Sequence, residues 1–203
     1  MERELKNIPL SEVEVYFPKK AYDVLISFDI DNLYDLFNLY DNQKLYQLFF
    51  SKHKQARELW NIINGTINVL KCKYLGTDLC IDLYNNSRDF CEKIGLNRTV
   101  RKRIMCSKYL QLPLLFKMCE SGDYSQLYFN FDATKTKEII AKIQVLYEYK
   151  NKKEREYSNR ELRDLQRYLE TLVGEYNELI SEIERVKLAI SELNNKKAGV
   201  SKK

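Results

Sequence analysis

The basic hexapeptide RTVRKR is the stretch whose residue types most clearly indicate chemistry. Four of its six side chains are positively charged, namely Arg98, Arg101, Lys102 and Arg103. Guanidinium and ammonium groups bind phosphate oxygens, and such contacts weaken as the salt concentration rises. A solvated helix face has the same composition, so the hexapeptide is a candidate nucleic-acid site with an equally good structural alternative.

A second basic stretch, SKHK, lies where the pattern predicts a polar turn between two helices. Lys52 and Lys54 in this stretch are further candidates for phosphate contacts. His53 lies between them and is the only histidine of the chain, which excludes a metal site built from several histidines.

No group of residues predicts catalysis. The carboxylates Asp29, Asp31, Asp35 and Asp41 occur singly, as capping residues do, and we expect Asp31 to cap the helix NLYDLFNLY. FDID has no recognisable third metal ligand. The sequence contains no glycine-rich phosphate loop, no GxSxG and no HExxH. We therefore expect a protein that is not an enzyme and that holds no cofactor and no metal.

The cysteines and the first residues predict a cellular compartment. The five cysteines are odd in number and show no CxxC spacing, which argues against a disulfide framework and against a zinc site. The opening MERELKN lacks the apolar segment of a signal peptide, and no apolar run is long enough to span a membrane. We expect a cytoplasmic protein with reduced thiols and no membrane segment.

Composition predicts the elements that must position these residues. Charged residues make up 31% of the chain, whereas Gly and Pro number only 6 and 3, which favours long helices over sheets. The net charge of +5 is by itself a weak indication of nucleic-acid binding. We expect an all-α protein.

The C-terminal region carries the clearest helical pattern. Two tracks of apolar residues repeat every seven positions and are offset by three, as the a and d positions of a coiled coil are. The ten residues are Leu162, Leu165, Leu169, Leu172, Tyr176, Leu179, Ile183, Val186, Ile190 and Leu193. This pattern predicts a self-associating helix that begins near Glu154, with a homodimer as the first expectation.

Packing against the N-terminal part of the same chain is the alternative to a second copy of the helix. Val173 and Ile180 at e positions widen the apolar stripe, which would also suit a helix folded back on the N-terminal part of the same chain. Glu182 and Lys187 lie where a g residue pairs with an e residue of the partner in a parallel dimer. The orientation, parallel or antiparallel, stays open at this point.

A weak internal repeat predicts two similar helical modules. Shifting the sequence by 79 positions matches Leu25 with Ile104, Leu33 with Leu112, Leu36 with Leu115 and Phe37 with Phe116. After a one-residue insertion, Glu58 matches Glu138 and Ile63 matches Ile143. The predicted divisions are residues 1–75 for the first module, 76–150 for a connector helix and the second module, and 151–203 for the coiled coil and a frayed tail.

The first module resembles the C-terminal domain of the bacterial RNA polymerase alpha subunit. In KKAYDVLISFDIDNLYDL, the spacing of Tyr22, Leu25, Ile30, Leu33 and Leu36 is similar to that family's RSxNxLxxxxIxTxxxL. FFSKHKQARELWNII stands in the place of the family's LGxKSLxEI hairpin. The resemblance covers about 45 residues of each repeat and implies a helix-hairpin-helix that binds DNA.

The resemblance implies DNA contacts at specific positions, and the chain departs from the family there. Lys20 stands where the family has its key arginine, and Thr99, flanked by Arg98 and Arg101, stands there in the second repeat. The hairpin glycine is replaced by Ser51 and by Asp132. An aspartate repels phosphate, whereas a glycine lets backbone N–H groups approach it closely.

These observations lead to two expectations of function. The first is a non-enzymatic DNA-binding protein that acts as a coiled-coil dimer, in transcription or in plasmid or phage DNA handling. The second is a dimeric scaffold or adaptor whose helical modules bind other proteins. Duplex DNA and a protein partner are thus the two candidate ligands.

Overall fold

The computed structural model describes residues 2–53, 56–79 and 87–200, with side chains described over 3–53, 56–79 and 90–191. These residues form an all-α fold, and within them the only β-type pairing is a single bridge between Pro9 and Asn32. The helices are α1 (Glu2–Lys6), a 3-10 helix (Leu10–Tyr16), α2 (Lys19–Ile26), α3 (Leu33–Asp41), α4 (Lys44–Lys52), α5 (Arg57–Leu75), α6 (Ser87–Lys93), α7 (Arg98–Cys106), α8 (Leu112–Ser121), α9 (Ser125–Asn130) and α10 (Ala133–Val200).

Helix ends follow capping chemistry at several points. The side chain of Asn32 accepts a hydrogen bond from the Asp35 N–H at 2.9 Å and so caps α3. The sequence placed this cap one residue earlier, at Asp31, and that expectation was wrong. Helix α5 ends at Gly76, whose left-handed conformation (φ 66°) suits a residue without a Cβ atom.

Residues 1–151 form one compact unit, and residues 152–203 form a second. The core of the first unit draws on every helix from α2 to α9 and on the first part of α10. Its fully buried side chains include Leu25, Leu36, Phe49, Phe90 and Ile143. Buried residues of this core lie on both sides of residue 75. The predicted division at that point stays a prediction.

Two glycines allow a close backbone approach inside the first unit. A Cβ atom on Gly65 of α5 would lie 2.3 Å from the backbone nitrogen of Gly95, and one on Gly95 would lie 2.3 Å from the carbonyl oxygen of Ile62. Gly95 also has a φ of +69°, a region that favours glycine. Helix α5 therefore packs directly on the turn before α7.

The helices of the predicted repeat follow in the same order in both segments. Helix α7 begins 79 residues after α2, and α8 begins 79 residues after α3, which is the offset found in the sequence. The matched pairs Leu25 and Ile104, Leu36 and Leu115, and Ile63 and Ile143 are buried in both members.

Other matched pairs differ between the two segments. Ile30 is buried and Tyr109 is 66% exposed, whereas Leu48 is 38% exposed and Leu127 is buried. The start of α10 lies 76 residues after that of α5 instead of the 80 that the sequence offset requires. A duplicated module stays a prediction.

Helix α10 begins at Ala133, much earlier than the start near Glu154 that the sequence indicated. Its residues 152–191 belong to the second unit, and all of their side chains are exposed. The nine described a and d side chains of this unit are between 42% exposed, at Leu172, and 66% exposed, at Tyr176. The tenth, Leu193, lies outside the described side chains.

Candidate nucleic-acid interface

Helix α7 carries the basic hexapeptide and is positioned by two buried residues. Val100 and Ile104, four positions apart, point into the core, so Arg98, Lys102 and Arg103 lie on the outer part of the helix. The side chain of Asn97 caps α7 by accepting a hydrogen bond from the Val100 N–H at 3.0 Å.

Arg101 is held by acidic side chains of the same unit. Its Nη1 donates to Glu92 Oε1 at 2.7 Å, and its Nη2 lies 4.0 Å from Glu58 Oε1. The Arg101 side chain is only 21% exposed. A guanidinium group with two carboxylate neighbours must exchange them before it binds phosphate, so Arg101 acts first as a link between α5, α6 and α7.

Arg103 is docked against the end of α9. Its Nη1 donates to the carbonyl oxygen of Asn130, and its guanidinium carbon lies 5.7 Å from the centroid of the Phe131 ring. This combination of a hydrogen bond and a cation–π contact fixes the side chain on its own protein.

The N-terminus of α7 already has an anionic partner. Glu58 Oε1 accepts a hydrogen bond from the Arg98 backbone N–H at 2.9 Å. A carboxylate in this place interacts favourably with the helix dipole and competes with a phosphate for the same N–H group. The side chains of Arg98 and Lys102 point outward and are exposed.

The basic residues predicted in the first repeat lie on two helices. Lys20 is exposed in the first turn of α2, and Lys52 is the last residue of α4, with its Nζ 4.9 Å from the centroid of the Phe28 ring. Lys54 lies outside the described residues. Ser51, the position compared with a hairpin glycine, is inside α4, where its hydroxyl donates to the carbonyl of Leu48 at 2.7 Å.

Asp132, the second position compared with a hairpin glycine, has a structural role. Its Oδ1 accepts a hydrogen bond from the Lys135 N–H at 2.9 Å, which caps α10, and its other oxygen pairs with the Lys135 ammonium. The hydrogen bonds from the Lys135 side chain and backbone lower the pKa of Asp132. A negatively charged cap at this turn leaves no phosphate-binding nest there.

A buried ion pair was not anticipated by the sequence reasoning. Lys142 is fully buried, and its Nζ donates to Glu138 Oε1 at 2.8 Å and to the carbonyl oxygen of Gly95 at 2.9 Å. Burial lowers the pKa of Lys142, and the nearby Glu138 carboxylate opposes that shift. The Glu-to-Lys spacing of four residues was a visible signal, but on helices it usually marks a solvent-exposed pair.

The cysteines of the described residues form no disulfide. Cys91 is buried, and burial raises the pKa of its thiol to about 12, so this thiol is protonated and unreactive at neutral pH. Cys106 is exposed. Among the described residues no group of three or more His, Cys, Asp or Glu side chains lies close enough to hold a metal ion.

No described helix is both long enough and apolar enough to cross a membrane. No protein-family model, no curated protein and no solved structure matches the chain.

Proposed function

We propose that this chain is a non-enzymatic protein that binds duplex DNA as a homodimer held together by residues 162–193. The observation that carries the proposal is the exposed apolar seam of the second unit. Its described a and d side chains are 42–66% exposed, although they are leucine, isoleucine, valine and tyrosine. An exposed apolar patch of this extent, bordered by charged residues, marks an interaction surface.

A second copy of the chain is the partner that fits this seam. A strict seven-residue period over five heptads is the pattern that two supercoiled copies bury against each other. In a parallel pair, Glu182 lies opposite Lys187 of the partner, Tyr168 lies opposite Val173, and no two like charges face each other at g and e positions.

An antiparallel pair centred on the same seam is less favourable. The a and d layers then match Tyr176 with Leu179 and Leu172 with Ile183 of the partner, which places Glu175 beside Glu182 of the partner at two symmetric points. Repulsion between these carboxylates favours the parallel arrangement.

The DNA part of the proposal is supported by exposed basic side chains on the first unit. Arg98 and Lys102 on α7, Lys20 on α2 and Lys52 on α4 all reach solvent. Each phosphate that such a side chain neutralises releases counterions, which predicts weak binding without base specificity and with a strong salt dependence. A dimer carries twice as many of these basic side chains. Once one copy is bound, the effective concentration of the second copy at the DNA is high, which strengthens binding further.

The test combines light scattering with a salt titration. We expect twice the mass of a single chain, and an affinity for labelled duplex that falls steeply between about 50 and about 200 mM salt. The double variant Arg98→Gln with Lys102→Gln should bind less tightly, with a flatter dependence of affinity on salt. A wild-type chain that is monomeric at high micromolar concentration, or that does not bind duplex at about 50 mM salt, would refute the proposal.

A scaffold that binds other proteins is the second candidate. It is favoured by the exposed aromatic and apolar side chains of the first unit, since Phe129 is 87% exposed and Tyr109 is 66% exposed. It is also favoured by Arg101 and Arg103, whose guanidinium groups already have partners in this chain. Unchanged DNA affinity in the Arg98→Gln, Lys102→Gln variant would favour this candidate.

A further inference from the structure

The second unit carries an arginine stripe that the sequence reasoning did not single out. Arg160, Arg163 and Arg167 are spaced by three and four residues, so they lie on one face of α10. With Leu162 at an a position, these residues fall at f, b and f, the positions that point away from a coiled-coil seam. A dimer formed through the seam therefore leaves the arginine stripe open.

The arginine stripe is exposed and only loosely engaged. The Arg167 side chain is 80% exposed, and its Nη1 lies 3.7 Å from Asp164 Oδ1, a surface pair that contributes little. Arg163 donates from Nε to the carbonyl oxygen of Asn159 at 3.3 Å, which leaves its four Nη hydrogens for other acceptors. Glu156, Asn159 and Asp164 lie beside these arginines on the same exposed face of the helix.

The charge of the second unit is divided along its length. Residues 152–167 carry six basic and four acidic side chains, whereas residues 168–191 carry two basic and five acidic ones. An anionic partner is thus attracted to the first part of the unit and repelled by the rest.

We propose that Arg160, Arg163 and Arg167 form a phosphate-contacting surface for duplex DNA on each helix of the dimer. This inference rests on the proposed function, because it takes DNA binding and dimerisation as given. From Arg160 to Arg167 the helix rises about 10 Å, which corresponds to about three phosphates of one strand measured along the DNA axis. Arginine suits this contact because its planar group binds phosphate oxygens in pairs.

The arginines of the stripe are less engaged by their own chain than two of the arginines of α7. In the RTVRKR hexapeptide, Arg101 and Arg103 are held by Glu92 and by Asn130 of their own unit. The three arginines of the stripe have at most one weak or backbone contact each in the described chain. They bind phosphate without first breaking a strong contact.

The test uses the full chain and a fluorescent duplex of about 20 base pairs, which is two helical turns. The variant carries Arg160→Gln, Arg163→Gln and Arg167→Gln, because glutamine keeps the helix propensity of arginine. We expect at least about tenfold weaker binding at low salt, and a slope of log affinity against log salt reduced by up to about 2.7 for each helix that contacts DNA.

Two controls separate this effect from a general change of charge or fold. Lys44→Gln, Lys117→Gln and Arg185→Gln together remove the same charge at exposed positions outside the stripe and should leave the slope close to that of the wild type. Arg160→Lys, Arg163→Lys and Arg167→Lys together should retain most of the slope. Circular dichroism and light scattering check that every variant is helical and dimeric.

Three outcomes would overturn the inference in distinguishable ways. If the triple glutamine variant of the stripe has the same slope as the charge-matched control, the stripe does not contact DNA, but the proposed function is unaffected. No binding by the wild type at about 50 mM salt removes the proposed function as well. Competition by polyglutamate as strong as by unlabelled duplex, at equal charge concentration, identifies the partner as an acidic protein instead of DNA.

Discussion

The two parts of helix α10 contain similar apolar residues in opposite surroundings. In the first unit, Ile139, Ile143 and Leu146 are at most 1% exposed. In the second unit, Leu165 and Leu169 are about 60% exposed. The buried part has a wide apolar face, to which Ile140 and Val145 also belong, whereas the exposed part repeats its apolar residues at a and d positions every seven residues.

From this difference we infer that the period of an apolar pattern, and not its hydrophobicity, indicates where its partner lies. A wide face with apolar residues at three of seven positions suits helices packed within one core. A seam that repeats every seven residues over five heptads suits a copy of the same helix, even where Val173 and Ile180 at e positions widen it. Trp60, the only tryptophan, lies in the first unit and reports the unfolding of that unit alone.

The largest effect is expected for a charge placed in the core of the first unit. A Phe→Ala change in a core lowers the free energy of unfolding by about 3–5 kcal/mol. Phe116→Asp or Leu36→Asp should lower it by more, because an unpaired carboxylate is also desolvated. Urea unfolding followed by Trp60 fluorescence should show no folded baseline for either variant. Leu169→Asp is the matched control, and an equal loss of Trp60 signal there would show that the two regions do not differ as described.

The next effect is expected in the seam and should leave the core unchanged. Leu172→Lys with Leu179→Lys removes two apolar side chains from each helix of the proposed dimer, which should weaken association by at least about 4 kcal/mol, or about thousandfold. Light scattering should give the mass of one chain, and the urea midpoint from Trp60 should match the wild type. A persistent dimer would place the interface on another surface.

A smaller effect is expected where two backbones meet. Gly95→Ala places a Cβ atom 2.3 Å from the Ile62 carbonyl oxygen and also imposes an unfavourable φ of +69°. Gly122 has a similar φ of +71° with nothing within 4 Å of an added Cβ, so Gly122→Ala measures the conformational strain alone. We expect the strain to lower the free energy of unfolding of both variants by about 1–2 kcal/mol. Overpacking should lower that of Gly95→Ala by about 1–3 kcal/mol more.

The control decides how this result is interpreted. Equal urea midpoints for Gly95→Ala and Gly122→Ala would mean that the turn before α7 moves away from α5 without cost. The contact between Gly65 and Gly95 would then not be needed to hold α7 in place.

The sequence predicted the helical elements better than the contacts between them. Apolar periodicity predicts helices over residues 18–28, 32–40, 45–50 and 56–70, which lie within about five residues of the observed bounds of α2, α3, α4 and α5, because each helix buries one face. The cap of α3 was assigned to Asp31 instead of Asn32, because both residue types are good caps and they are neighbours. The sequence did not indicate that α10 runs without a break from Ala133. Residues 147–160 are charged, and no apolar pattern there links the helical pattern before them to the one after them.

Side-chain partnerships could not be predicted from local pattern. Arg101 meets Glu58, which is far away in sequence, and Lys142 is buried because the Gly95 carbonyl comes from a distant turn. A charged residue enters a core only when such partners are supplied, and the fold supplies them. The same limit applies to the candidate site, in which four basic residues of one hexapeptide look alike in sequence but differ in their contacts.

The smallest effect is expected for Gly174→Ala in the second unit. Gly174 is helical, falls at an f position, and has nothing within 4 Å of an added Cβ atom. Alanine is favoured over glycine in a helix by about 1 kcal/mol, so the variant should be more helical and its thermal transition, followed by circular dichroism, should shift upward. The Trp60 transition should stay where it is. Ser181→Ala, at the next f position, is the matched control, with a shift of the same sign but smaller size. If Gly174→Ala instead weakens the dimer, this face of the helix lies in the interface, and the partner does not bind along the seven-residue seam.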